Sequence, residues 1–277
     1  MTPPPPRNSG DRPQRRDGDR RPQRPSGERP RSSRGGDDRP RPPRAHDDGP
    51  PRTPRLREPD LPEDVSARDL DRDARAELRS LPASLADKVA MHLVAAGRAL
   101  DDDPQLAHTH AWYARQLAPR LAIVREAAGV TSYAVGDYAA ALAELRAARR
   151  ITGDPGALPM MADCERGLGR PDRALALARD PDAKLLDQAA KIELGIVVSG
   201  ARRDRGEYDA AVVALQGPAL DSDQLQPWSV RLWYAYADAL LAAGRRDDAR
   251  RWFESVAAID DVGQTDAEER LTALGDD

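Results

Sequence analysis

The feature that most limits how this chain can fold is a helical hairpin written four times. The stretch "YAVGDYAAALAELRAARR" at 133–150 reads as a helix end, a Gly turn and a second helix. The shape returns as "GRPDRALALAR" from Gly169, "GEYDAAVVALQ" from Gly206 and "GRRDDARRWFE" from Gly244. Five residues after the turn glycines (136, 169, 206 and 244) stand Ala141, Ala174, Ala211 and Ala249, and four beyond those stand Leu145, Ala178, Leu215 and Phe253. A turn Gly takes a positive φ at little steric cost. The Ala lets two helices cross closely, and the larger residue fills the space against the next unit. One such hairpin cannot bury its own apolar face, so the copies must stack and form one another's core.

Helix signals fill most of the chain outside these four hairpins. Ser66 with Asp69 three residues on is a capping-box pattern opening "SARDLDRDARAELRSL", where Leu70, Ala74 and Leu78 fall at helical spacing. Leu85, Val89, Leu93, Ala96 and Leu100 line one face of the next helix, which Pro104 is expected to end. Further helices are expected at about 105–117, 119–135, 138–152, 156–168, 171–179, 182–204, 207–216, 226–243, 246–259 and 264–274. Thr265 and Glu268 offer a second capping box for the last of them, with Leu271 and Leu274 facing inward as a closing cap. No segment alternates at the strand period, so the expected class is all-α.

Charge divides the chain in two. Residues 1–57 hold 16 Arg and 14 Pro, with Met1, Ala45 and Leu56 as their apolar residues. Such a segment cannot bury enough surface to offset the entropy of ordering it, and a disordered N-terminal tail is expected. It carries a net charge of +8, whereas residues 58–277 carry −12. The expected division is therefore a basic Arg/Pro-rich arm at 1–57 and a helical repeat domain at 58–277, clearest over about 120–260. Cys164 is the sole cysteine, which rules out an intrachain disulfide. The N-terminus lacks the apolar core of a secretory signal. "ELGIVVSGA", the most apolar run, is far short of a membrane span. No membrane contact and a cytoplasmic location are expected.

The four copies resemble tetratricopeptide (TPR) repeats, whose pattern is a helix pair of ~34 residues with W-x₂-L-G-x₂-Y, then A-x₃-F and a Pro. The last copy has Trp233 in the Trp position, Tyr236 and Ala237 where Leu-Gly is usual, then Ala249 and Phe253. The first has Gly129 in the Gly position, "GDY" at its turn, Ala141, Ala148 and Pro155. The middle copies keep the Gly turn and the Ala and lose the aromatics. The intervals between turn glycines are 33, 37 and 38 residues. The resemblance implies a TPR-like superhelix, an α-solenoid, that presents the inner surface of its first helices to a protein or peptide. Carried over by repeat position, that groove is lined by Glu126, Val130 and Tyr133, then by Pro159, Asp163 and Arg166. Glu193, Ile196 and Arg203 follow, then Arg231, Tyr234 and Asp238.

Features that could carry other chemistry have plainer readings. His108 and His110 in "HTH" are two apart, whereas helical metal sites use ligands three or four apart. Asp101 to Asp103 read as a capped, solvated turn, and Cys164 reads as core filler. Neither G-x-x-x-x-G-K-[ST] nor a post-strand G-x-G-x-x-G is present. The expectation is a non-enzymatic scaffold or adaptor with no cofactor and no metal. The competing expectation is a nucleic-acid-associated protein whose arm, residues 1–57, makes weak polyanion contact. The arm lacks aromatics for base stacking, and Asp pairs interrupt its charge. A third expectation is that the basic arm folds back on the acidic body.

Overall fold

The four repeated turns share one geometry in a computed structural model, which describes residues 57–220 and 224–275. Gly136, Gly169, Gly206 and Gly244 have φ between 71° and 79°. In each turn the Gly N–H and the following N–H donate back into the preceding helix: Gly136 to Tyr133 and Asp137 to Ser132, Gly206 to Arg203 and Glu207 to Arg202. The second bond spans five residues and satisfies a carbonyl that the helix end would leave unpaired. The local sequence thus sets the same reversal four times.

Among the described residues twelve α-helices follow in order: α1 (Arg72–Glu77), α2 (Ala83–Ala99), α3 (Pro104–Leu117), α4 (Ala122–Ala134), α5 (Tyr138–Thr152), α6 (Leu158–Gly167), α7 (Pro171–Leu177), α8 (Gln188–Asp204), α9 (Tyr208–Val213), α10 (Ser229–Ala242), α11 (Arg246–Ala257) and α12 (Ala267–Leu274). No strand occurs among the described residues. The four hairpins are α4/α5, α6/α7, α8/α9 and α10/α11, with α2/α3 stacked before them and α12 packed on α11. The first helices α6, α8 and α10 lie side by side, forming one wall of the array. Ala141, Ala174, Ala211 and Ala249 are all buried at the hairpin crossings. Facing them, seven residues before each turn Gly, are Gly129, Ala162, Ser199 and Ala237, which are also buried. Gly129 is tightly packed, because a Cβ there would lie 2.7 Å from the Leu145 side chain.

Several expected boundaries shift, each for a local reason. The helix expected from Ser66 is interrupted. The Ser66–Asp69 capping box forms, but on a 3₁₀ turn at Ala67–Asp69, and Asp71 then starts α1 by accepting from the N–H of Asp73 and Ala74. Pro104 does not end a helix. It is the first residue of α3, capped by Asp103, which accepts from Leu106 N–H at 3.0 Å. The helix expected from 182 begins only at Gln188. Pro181–Leu185 is a 3₁₀ turn, and Asp187 caps α8 through Ala190 N–H. The Thr265–Glu268 capping box does not form, because Asp260 takes the N–H of Gln264 and both the N–H and the hydroxyl of Thr265. The longer intervals of the middle copies go into the connections at 178–187 and 214–228, while α7 and α9 are short. The arm at 1–57 lies outside the described residues apart from Arg57.

Polar side chains also join the units. Glu144, nearly buried, accepts from Arg115 at 2.7 Å and Arg125 at 2.8 Å, tying α3, α4 and α5 together. Arg149 reaches Asp180 and Asp182 beyond the next hairpin, each at 2.8 Å. Within α2/α3, His92 and His110 are buried with their Nδ1 atoms 3.0 Å apart, so one ring donates and the other accepts. Glu58 holds the same corner, accepting from Lys88 and from Tyr113 while facing His92 Nε2 at 3.6 Å. Burial pushes both imidazoles down, and for His92 the neighbouring His110 adds to it, against Glu58. A folded value below the ordinary one of about 6.5 means that the unfolded chain binds protons first as pH falls. This contribution is complete above about pH 6.5 and is lost as pH falls through the folded values. Thermal melts should show a midpoint that drops between about pH 7 and pH 5, with a flatter profile in His92→Leu/His110→Leu. Identical slopes in the two proteins would show that this pair does not set the response.

Candidate functional site

Residues of α4, α6, α8 and α10 line two hollows that share part of their lining. One, of about 530 Å³, lies between α4, α6 and α8 and is lined by Glu126, Tyr133, Asp163, Arg166 and Arg231 among others. The second, of about 420 Å³, lies between α6, α8, α10 and the segment before α12, and Arg203, Tyr234 and Asp238 line it. Arg166, Ile196 and Arg231 border both, so the two form one trough. All eight residues singled out by repeat position, Glu126, Tyr133, Asp163, Arg166, Arg203, Arg231, Tyr234 and Asp238, therefore line a single surface. So do Val130, Pro159, Glu193 and Ile196. One periodic argument places them: residues at matching positions of stacked hairpins share a face.

Their chemistry differs from an open row of side chains, because most are bonded across the repeat boundary. Tyr133 O–H donates to Asp163 at 2.5 Å. Arg166 donates to Asp163 and to Asp204 in the next first helix, both at 2.8 Å. Arg203 pairs with Asp238, which also receives Arg270. Arg231 reaches back to Glu193 at 2.6 Å, and Tyr234 donates to Asp266. Burial, with Asp266 adding to it, pushes the Tyr234 hydroxyl up to about 12. Burial and then Asp163 raise Tyr133 further still. Both phenols stay neutral donors at physiological pH and serve to orient carboxylates. Arg231 keeps more than half of its side chain in solvent, and Glu126 is exposed at the rim.

Sequence reasoning missed Asp204, Asp266 and Arg270, which complete these pairs. The signal available for them was an offset of roughly one repeat between partners of opposite kind, such as the 38 residues between Arg166 and Asp204. The other candidate residues have structural positions. Cys164 is buried in the α5/α6 core, and burial lifts its thiol to about 12, far from a reactive thiolate. His108 packs by Trp112 while His110 turns to His92, so the two rings of "HTH" diverge. Asp103 caps α3. Among the described residues no group of three or more His, Cys, Asp or Glu side chains is arranged to hold a metal ion. No described helix is long and apolar enough to cross a membrane.

No curated protein matches the chain. Residues 202–268, from the end of α8 into α12, match the family model described as tetratricopeptide repeat. The C-terminal part of this all-helical chain is thus similar to tetratricopeptide repeats, and the same Gly-turned hairpin is repeated before it.

Proposed function

We propose that this protein is a non-enzymatic scaffold or adaptor that holds a protein or peptide segment in the trough. In this reading residues 58–277 act as the repeat domain and residues 1–57 as a separate basic arm. Tetratricopeptide repeats serve in general as protein-interaction scaffolds. The observation that supports the trough in particular is its lining. Tyr and Arg side chains alternate with Asp and Glu above an apolar floor that includes Val130, Met160 and Ile196. Tyr and Arg are the residues most used as interface anchors, and an apolar floor under a polar rim is ordinary interface anatomy.

The test is capture of partners by the whole chain, by residues 58–277 and by whole-chain Arg231→Ala and Tyr234→Phe, each with and without nuclease. A protein retained by residues 58–277, indifferent to nuclease and weakened in both variants is the expected result. Interface anchors of this kind contribute about 1–3 kcal/mol, or roughly tenfold to a hundredfold in affinity. Material recovered solely by chains carrying the arm, and lost on nuclease treatment, would instead assign binding to polyanion contact by residues 1–57.

A further inference from the structure

The trough continues past the residues that repeat position singles out. Beyond Glu126 and Val130 it opens on a third hollow of about 340 Å³, whose lining includes Leu70, Leu93, Leu100 and Ile123. Glu126 and Val130 line this hollow and the 530 Å³ one as well. Glu126 is therefore the carboxylate that borders both hollows.

The charges along the trough are not equally available. Arg166, Arg203 and Arg231 are already engaged by acids, and Asp163, Asp238 and Glu193 by arginines. Glu126 has neither an ion pair nor a hydrogen bond among the described residues. Asp154 and Glu77, both acids, act on it as well. Part of its side chain reaches solvent, yet the walls remove enough water to raise its carboxyl, and those two acids raise it further. An anion so placed is complementary to a cation and repels another acid. At the other end, Ser199 is 1 % exposed and lines the 420 Å³ hollow with an Oγ that has no hydrogen-bond partner among the described residues, as does Arg203 Nε. Buried polar groups are normally paired, so these two mark a polar wall of this hollow.

We infer that the trough takes an extended segment in which one Lys or Arg is flanked by apolar side chains. The cation lies on Glu126, one apolar side chain rests over Leu70 and Leu93, and another over Met160 and Ile196. The continuing main chain runs along the 420 Å³ hollow. This inference rests on the scaffold reading above and adds the chemistry of the partner. An acidic segment is disfavoured because Glu126, with Asp154 and Glu77 acting beside it, carries the same sign.

The experiment is selection of a random twelve-residue peptide library on the full chain, followed by anisotropy titration of the enriched peptides, fluorescein-labelled, against variants. Expected are peptides that share a basic residue with apolar residues on either side. Their binding should weaken at least about tenfold in Glu126→Gln, and Glu126→Lys should redirect selection to Asp or Glu at that position. Glu126 is exposed and unpaired, so both variants should melt as the parent does. Enriched peptides without a basic residue, weakened by Arg231→Ala and unaffected by Glu126→Gln, would overturn the inference and leave the trough as the binding surface. Failure to enrich any peptide sensitive to Glu126→Gln, Arg231→Ala or Tyr234→Phe would overturn both.

Discussion

Phe253→Ala should lower stability by about 3–5 kcal/mol, the range for emptying a large aromatic site in a packed core. Phe253 is fully buried in the α10/α11/α12 cluster. Tyr234 meets it edge-on with ring centroids 5.5 Å apart, and the Arg270 guanidinium lies over its face at 5.6 Å. At roughly 2–4 °C per kcal/mol for a domain of this size, the melting midpoint should fall by about 6–20 °C. Each unit of an array touches mainly its neighbours, so the loss should be uneven along the chain. Hydrogen exchange should accelerate first in α10 to α12 and least in α2 and α3. Uniform acceleration would mean that the array unfolds as one cooperative unit. The same substitution removes the ring on which Tyr234 and Arg270 pack, so the far end of the trough should weaken before the rest.

Gly129→Val should cost about 1–3 kcal/mol by overpacking, even though leaving Gly ordinarily favours a helix. A Cβ at 129 would stand 2.7 Å from Leu145 Cγ and Cδ2 and 3.3 Å from the Ala141 carbonyl oxygen. The side chain can be displaced, whereas the carbonyl belongs to the backbone of α5, so the hairpin must open. Helix α4 also carries Glu126 and Tyr133, which couples this packing defect to the shape of the trough. Leu145→Ala alone should cost about 2–5 kcal/mol. In Gly129→Val/Leu145→Ala the added methyls occupy the space that Leu145 vacates, and the two losses should fall short of their sum by about 0.5–3 kcal/mol. Strict additivity in denaturant titrations would remove close packing of Gly129 on Leu145 as the reason for a Gly there.

These two positions also show how the fold could be read in advance. Gly129, Ala141, Leu145 and Phe253 stand out because a hairpin crossing needs small and large residues at set distances from its turn. Gly136, Gly169, Gly206 and Gly244 stand out because their turn needs a positive φ. Both requirements act within a few dozen contiguous residues, where helical period and turn chemistry are written directly into residue order. The eight trough residues follow from the same logic, since stacking repeats brings matching positions onto one face.

The sequence by itself therefore determined the helical class, the four reversals, the Ala and Gly crossings and the side of the array on which the trough lies. The tertiary structure alone decided which trough side chains are bonded to one another and which is free. Arg166 meets Asp204, Arg203 meets Asp238 and Tyr234 meets Asp266, while Glu126 meets no partner among the described residues. It also decided that His92 pairs with His110, that the third hollow joins the trough, and that α8 starts at Gln188 rather than near 182. The physical reason is the range of the interactions. Periodicity and caps are set by neighbours along the chain, but the cross-repeat polar contacts Tyr133–Asp163 and Arg166–Asp204 in the trough join groups 30 and 38 residues apart. Its partners are chosen by how far one hairpin is displaced and turned on the next. With turn intervals of 33, 37 and 38 residues, that displacement depends on how connections such as 178–187 and 214–228 fold, which the repeat pattern does not encode.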